Sequence, residues 1–207
     1  MRYRFLIDTY STERLKVLSV WSMFRDEDLL FRPHPADRRG RSVLEQMVHQ
    51  CTSEDMWFRR YFGIEASPGA LPAEETRTGF LHRYHADSGC RLAALVSQSE
   101  AWWEEEVLFF DVPRPRTWVM VRRIAHTAHH RGQQMAMLRM LNRDLHSNYG
   151  PTADTGGLAQ NDAAVIYPYT DAEALLAGEH SGGRKKTLPG TGSKSPTERP
   201  GLDRTLA

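Results

Sequence analysis

Four stretches of the chain carry apolar side chains at helical intervals, and loops rich in proline or glycine separate them. They cover residues 2–25, 42–63, 73–100 and 117–144. The last stretch alone is long enough for about seven helical turns. Because an amphipathic helix has to bury its apolar face, four of them in one short chain are expected to pack against each other. The sequence therefore predicts an all-α fold, built as a four-helix bundle.

The second helix has clear start and stop signals. Ser42 can accept a hydrogen bond from the backbone of Glu45, whose carboxylate can accept one in return, and this arrangement is a capping box. Gly63 suits the left-handed conformation that ends many helices. Further along, the prolines in "WWEEEVLFFDVPRPR" exclude an ordinary helix between the third and fourth helices. The segment "VLFFD" is predicted to form a short extended piece.

The loop between the first two helices is locally basic. Its sequence, "FRPHPADRRGR", contains Arg32, Arg38, Arg39 and Arg41. Such a cluster can meet a phosphate or an acidic ligand, or it can be a solvated loop with no partner. The sequence alone favours the solvated loop.

The residues after the fourth helix divide into two parts. The first part is rich in Gly, Pro and Asp but keeps apolar residues such as Val165 and Ile166, so we expect an ordered, non-regular C-terminal wrap across the bundle. From Gly178 onward apolar side chains are almost absent, and such a segment cannot offset the entropy lost on ordering. The predicted organisation is a bundle with its wrap over residues 1–170 and a mostly disordered tail over residues 171–207.

Charge and composition exclude several classes of protein. Lys and Arg number 27 against 26 Asp and Glu, so the net charge of +1 lacks the basic excess of a nucleic-acid or membrane-surface binder. No run of about 18 apolar residues occurs, and Asp8 and Glu13 interrupt the N-terminal region where a signal peptide would be apolar. Cys51 and Cys90 lack metal-finger or CxxC spacing and are interpreted as reduced thiols. We expect a cytoplasmic protein that binds neither nucleic acid nor membranes.

Three histidines lie in the fourth helix, within "RRIAHTAHHRGQQ". His126 and His130 are four residues apart and therefore share one face of the helix, whereas His129 points elsewhere. Two histidines at this spacing can bind a divalent metal together with a ligand from another helix. They can equally be core histidines satisfied by hydrogen bonds, or part of an exposed face. A third ligand is needed to decide between these readings.

The other histidines differ in their suitability as a third ligand. His49 lies in the middle of the second helix, but it is roughly 140° from the centre of the main apolar stripe of that helix. Its side is therefore either the lining of a polar cavity or plain surface. His82 and His85 can share a face of the third helix. The remaining candidates lie in loops or in the tail, and they are His34, His146 and His180.

The motif "HTAHHRGQ" resembles the HxxxHRGQ signature of the DinB/YfiT-like family of metal-dependent four-helix-bundle proteins. A histidine in the middle of the second helix, here in "EQMVHQCTSEDMWF", is the other marker of that family. The segment "YGPTADTGGLAQNDAAVIYPY" also resembles a C-terminal segment of one branch. The resemblance covers about residues 1–170 and is more specific than the HxxxH spacing alone.

The resemblance implies a homodimeric bundle in which three histidines hold a divalent metal such as nickel, zinc or iron. Carried over to this sequence, the ligands are His49, His126 and His130. The resemblance further implies metal-assisted chemistry on a small molecule, as a thiol-dependent S-transferase using a low-molecular-weight thiol, or as a hydrolase. The alternative is a non-catalytic binding or scaffold protein of the stress response that its metal stabilises. A closed four-ligand shell favours the scaffold, and an open position favours catalysis.

The residues that follow the histidines are expected to have structural roles. Gly132 in mid-helix costs about 1 kcal/mol relative to alanine, which suggests that a neighbouring group approaches there. Arg131 is expected to pair with an acid on another helix, and Gln133 to hydrogen-bond near the ligands or at an interface. No residue stands out as a general base. Cys51 is two positions from His49 and faces another side of its helix, which argues against a Cys/His nucleophile.

Overall fold

Four long helices form the body of the computed structural model, which describes residues 2–192. The helices in chain order are α1 (Arg4–Met23), α2 (Val43–Trp57), α3 (Arg77–Val96), α4 (Glu100–Glu104), α5 (Arg116–Met140) and α6 (Ala172–Ser181). Helices α1, α2, α3 and α5 are the bundle, and α1 packs extensively on both α3 and α5. The predicted all-α four-helix bundle is confirmed. No helix among the described residues has the length and apolar character needed to cross a bilayer.

The ends of α2 follow the chemistry predicted from the sequence. The backbone of Glu45 donates to the Ser42 hydroxyl over 3.2 Å, and the backbone of Ser42 donates to the Glu45 carboxylate over 2.7 Å. At its other end α2 continues into a π-helical turn, Phe58–Phe62. Gly63 then adopts a φ of 63°, a left-handed conformation that glycine accepts without steric cost. These caps define the ends of α2 and so place His49 in the middle of the helix.

A short β-hairpin connects α4 to α5. Strand β1 (Glu106–Phe109) pairs antiparallel with β2 (Val112–Pro115), which confirms the extended piece predicted in this region. Helix α5 begins at Arg116, directly after the second proline of the connection. Phe109, at the end of β1, packs its ring against Trp57 of α2 with 5.0 Å between ring centroids. The hairpin therefore covers one side of the α2 and α5 pair.

The core consists of two apolar clusters joined by a buried charged group. One cluster surrounds Trp21, and the other surrounds Phe58. Tyr84 of the first cluster and Tyr10 of the second both donate their hydroxyls to Glu54, over 3.3 Å and 2.7 Å. Burial raises the pKa of both tyrosines, so both hydroxyls keep the proton that they donate. Glu54 therefore lies where the two clusters meet.

Glu54 is fully buried and contacts every other helix of the bundle. Arg91 of α3 lies 3.4 Å from one carboxylate oxygen, and Arg123 of α5 lies 3.5 Å from the other. Both guanidinium groups are also buried. Because Tyr10 belongs to α1 and Glu54 to α2, one carboxylate links all four helices. A buried charge is tolerated only when it is paired and hydrogen-bonded, and Glu54 meets both conditions.

The C-terminal wrap is ordered, as predicted, but the tail departs from the prediction. Residues 172–181 form α6, which packs on α1 and α3, so the expectation of disorder from residue 171 is wrong for this segment. Leu175 of α6 is buried in the core, and Glu179 pairs with Arg77 and with Lys185. These few contacts hold α6 on the bundle because each side chain meets a complementary group there. The composition of the segment does not show that such groups are present. The part of the tail over residues 193–207 lies outside the described residues.

Replacement of Glu54 by alanine is expected to lower the free energy of unfolding by about 3–5 kcal/mol, because it removes the carboxylate partner of the buried Arg123 guanidinium and leaves Arg91 with Asp55 alone. Urea denaturation followed by circular dichroism measures this change. Asp8→Ala is the matched control, since its pair with Arg4 is more than half exposed and should contribute less than about 1 kcal/mol. Equal losses in the two variants would contradict the central role of Glu54.

Candidate metal centre

Three histidine side chains from two helices converge at one point. His49 comes from the middle of α2, and His126 and His130 lie one turn apart on α5. The Nε2 atom of His130 is 3.1 Å from that of His49 and 3.2 Å from that of His126. One nitrogen atom from each ring lies within 4.8 Å of the other two. The structure therefore brings together the ligand set that the family resemblance implies.

The hydrogen bonds of His130 define which of its nitrogens faces the other histidines. Its Nδ1 atom is 3.0 Å from the Oε1 atom of Gln46, and the Nε2 atom of Gln46 donates in turn to Gln133 over 2.9 Å. Because a carbonyl oxygen can only accept, His130 carries its proton on Nδ1. Its Nε2 atom then presents a lone pair toward His49 and His126. Such support of the second ring nitrogen is usual for histidines that bind metals.

The separations between the nitrogens suit a shared cation. Nitrogen ligands lie about 2.0–2.1 Å from zinc, so two of them on one ion are about 3.0–3.4 Å apart. The observed 3.1 Å and 3.2 Å fall within this range. The lone pair on Nε2 of His130 faces the Nε2 atoms of both other histidines, and a cation between the three nitrogens would be bound by such lone pairs. The three residues therefore fit a divalent metal.

The surroundings keep the three histidines in the neutral form that metals require. Burial is the main cause, and it lowers the pKa of His126 to about 3 and that of His130 to about 4. Burial also lowers the pKa of His49. The positive charges of Arg41 and Arg123 add to the effect on His49. At neutral pH all three rings are therefore unprotonated at one nitrogen and need lose no proton to bind a metal.

Aromatic side chains form one wall of the site. The Trp57 ring stacks beside His126 at a centroid distance of 5.9 Å. Phe109 of the hairpin packs edge-to-face against the same Trp57 ring. Arg123, held by Glu54, lies over the Trp57 ring at 5.6 Å. His130 is only 3% exposed, whereas His49 and His126 are half-buried. Solvent and small molecules can therefore approach the site from the side of these two ligands.

The other candidate histidines do not join the site. His34 is exposed in the loop before α2. His82 of α3 contacts the ring of His180 of α6, and His146 hydrogen-bonds the backbone of residue 186 over 2.7 Å. His85 lies on α3 away from the three ligands. Within residues 2–192, His49, His126 and His130 form the metal-competent group.

The structure agrees with the predictions for two of the three residues that follow His130 and disagrees with the third. Arg131 is buried and pairs with Glu13 of α1 over 2.5 Å, which confirms the predicted link to an acid on another helix. Gln133 hydrogen-bonds both Gln46 and His129, so it belongs to the network around His130. The prediction for Gly132 is wrong, because this residue is exposed and a side chain there would meet nothing within 4 Å.

The position of His49 shows why the helical-wheel argument pointed away from it. The apolar stripe of this helix runs through Leu44, Val48, Cys51, Phe58 and Phe62, and its first two residues are only partly buried. The buried residues of α2 are half apolar and half polar; the apolar ones are Val43, Met47, Cys51 and Trp57, and the polar ones are Gln46, Gln50, Ser53 and Glu54. An apolar stripe therefore misjudges which way this helix faces.

Polar residues also occupy buried positions on α5. Val121, although apolar, is 53% exposed. The buried line instead contains Arg123, Thr127, Arg131 and Gln134, which meet polar partners on the neighbouring helices. Polar residues at helical spacing with polar partners on other helices were a signal that hydrophobicity alone could not detect. Gln46, the hydrogen-bond partner of His130, was missed for this reason.

The remaining reactive groups are engaged elsewhere. Glu45 caps α2 and pairs with Arg32 over 2.7 Å, and Asp55 pairs with both Arg59 and Arg91. Cys51 is buried, and burial strongly raises the pKa of its thiol, which makes it a poor nucleophile.

Comparison with known proteins identifies a solved structure with a similar fold. No protein-family model matches the chain, and no curated protein matches it. Among solved structures, the chain is similar to a DinB-like protein from Bacillus cereus ATCC 10987, with 18% sequence identity and a TM-score of 0.61. The match covers 70% of this chain and 95% of that chain. The chain is thus a helical bundle with a three-histidine site, and its fold is DinB-like.

Proposed function

We propose that this protein binds one divalent metal ion through His49, His126 and His130 and uses it for chemistry on a small molecule. The observation that carries the proposal is the convergence of three neutral imidazoles on one point, with the ring of His130 already fixed by Gln46. Catalytic metal sites commonly have three protein ligands and leave a position for water or substrate. Nickel, zinc and iron all accept this ligand set, so the donors do not select among them.

The chain prepares the site in several ways. Gln46 orients His130, and the wall formed by Trp57 and Phe109 excludes water from one side. The half-buried faces of His49 and His126 leave the other side accessible to a small molecule. A divalent ion bound here supplies a Lewis acid that lowers the pKa of a coordinated water or thiol.

A low-molecular-weight thiol is the substrate class that we favour. The metal-competent group contains three neutral ligands and no carboxylate among the described residues, so the charge of a bound ion is left uncompensated. A thiolate supplies a negative charge and is a good ligand for zinc and related ions. Thiol-dependent S-transfer is also the activity that the DinB/YfiT resemblance implies, with a hydrolase as the other enzymatic possibility. A metal that only stabilises the bundle is the non-catalytic alternative.

Metal content is the first test. Protein purified without a histidine tag is expected to contain close to one divalent ion per chain by elemental mass spectrometry. His49→Ala and His126→Ala should lose the metal, because each removes a ligand. His129→Ala is the control and should keep the metal, since His129 is exposed and, although its ring packs edge-on against His130, its nitrogen is turned to Gln133 and not to the other ligands. Retention of metal by His126→Ala would disprove the site.

Thiol chemistry is the second test. The metal-loaded protein is screened for conjugation of glutathione, bacillithiol and mycothiol to chlorodinitrobenzene or monochlorobimane, by absorbance or fluorescence. We expect turnover with one of these thiols that stops when the metal is removed and returns when it is restored. His129→Ala should retain the activity and His126→Ala should not. A protein that binds metal but turns over none of these thiols would favour the stabilising role instead.

We also propose that the protein is a homodimer, as the family resemblance implies. Exposed apolar side chains around the hairpin and on the outer side of α5 support this, and they include Leu108, Phe110, Val112, Trp118 and Val121. Large exposed apolar patches are typical of interaction surfaces. Sedimentation should give a dimer mass for the wild type and a monomer mass for Val121→Glu. A monomeric wild type at micromolar concentration would refute the proposal.

A further inference from the structure

A cavity of about 310 Å³ lies between the basic loop of residues 31–41 and the C-terminal half of α5. The loop contributes charged side chains to its lining, and the helices contribute amide and apolar ones. The residues that line it include Arg39, Arg41, Gln46, Gln133, Met137 and Met140. A volume of this size can hold part of a small molecule.

The cavity adjoins the metal centre through two shared side chains. Gln46 and Gln133 line the cavity, and their Oε1 atoms lie 3.0 Å and 3.2 Å from Nδ1 of His130. The cavity therefore begins on the side of His130 opposite to its metal-facing nitrogen. Each amide NH₂ group has two N–H bonds, and the Gln46 and Gln133 amides use one apiece within the protein.

The arginines of the basic loop differ in their partners. Arg32 pairs with Glu45, and Arg39 forms a two-pronged pair with Asp37. Arg41 is exposed and has no hydrogen bond or ion pair within residues 2–192. Of the two arginines that line the cavity, Arg41 is thus the one whose guanidinium is not committed to a carboxylate of the chain.

The charge of Arg41 lies close to the metal centre. Arg41 lines the same cavity as Gln46 and Gln133, whose Oε1 atoms are within hydrogen-bond distance of Nδ1 of His130. A divalent ion on three neutral histidines would add two further positive charges at the same place. Since the ligand group includes no carboxylate among the described residues, an anionic molecule bound here would supply compensating negative charge.

We propose that this cavity binds the carboxylate of the substrate, with Arg41 as its ion-pair partner and the amides of Gln46 and Gln133 beside it. One uncommitted guanidinium matches one monovalent carboxylate in charge and in geometry. Met137 and Met140 provide an apolar surface for the carbon chain of the same molecule. The substrate class is therefore an anionic thiol that is long enough to extend around His130, with its sulfur toward the metal and its carboxylate in the cavity. This inference rests on the proposed function, and it adds a site for the substrate carboxylate to the site for its sulfur at the metal.

The test compares two thiols of equal length that differ in charge, 6-mercaptohexanoate and 6-mercaptohexanol. Cobalt-loaded protein is titrated with each, and binding is measured by calorimetry and by the sulfur-to-cobalt absorption band. Wild type is expected to bind the carboxylate about fivefold more tightly, an advantage that shrinks as salt is added. Arg41→Gln should lose this preference while still binding cobalt and 6-mercaptohexanol.

Arg38→Gln is the matched control, because Arg38 is exposed on the same loop and does not line the cavity. It should keep the wild-type preference. Equal binding of both thiols by wild type, or a preference that survives in Arg41→Gln, overturns the inference while leaving metal and thiol binding intact. If neither thiol reaches the metal, the thiol proposal fails, and hexanoate alone then tests the cavity. Hexanoate should bind wild type more tightly than Arg41→Gln, and equal binding refutes the carboxylate site.

Discussion

The whole structure depends on how Glu54 is accommodated. Its carboxylate is fully buried on α2 and is hydrogen-bonded or paired with Tyr10 of α1, Arg91 of α3 and Arg123 of α5. Removing a carboxylate from water is costly, and the cost is offset only if all of its partners are in place at once. In the observed arrangement each of the other three helices supplies one of these partners, so the carboxylate contacts the whole bundle.

The contacts of Glu54 also position the three histidines of the metal centre. Arg123, which pairs with Glu54, is one turn before His126 on α5, and Glu54 is little more than one turn after His49 on α2. The ion pair thus holds together the two helices that carry the three ligands. Gln46 adds a second link between the same helices through His130. The ligands are held in position by contacts that do not themselves involve a metal.

Much of the site could be predicted from the sequence, but only in part by physical reasoning. The spacing of His126 and His130 places them on one face of α5 in any helical fold, and the capping box of α2 could be identified from Ser42 and Glu45 alone. His49 was different, because its contribution depends on which side of α2 faces α5. Apolar periodicity gave the wrong answer there, since half of the buried residues of this helix are polar, and the family resemblance supplied the residue that the wheel did not favour.

The sequence by itself determined the four long helices, the caps of α2, the prolines before α5 and the pairing of two histidines, because each of these follows from residues close together in the chain. The tertiary structure decided which polar side chains are interior, that α6 docks on the bundle and that Arg41 faces a cavity beside His130. These features depend on partners far away in sequence. A buried glutamate or an uncommitted arginine has no local pattern, and its role is defined only by what the fold places against it.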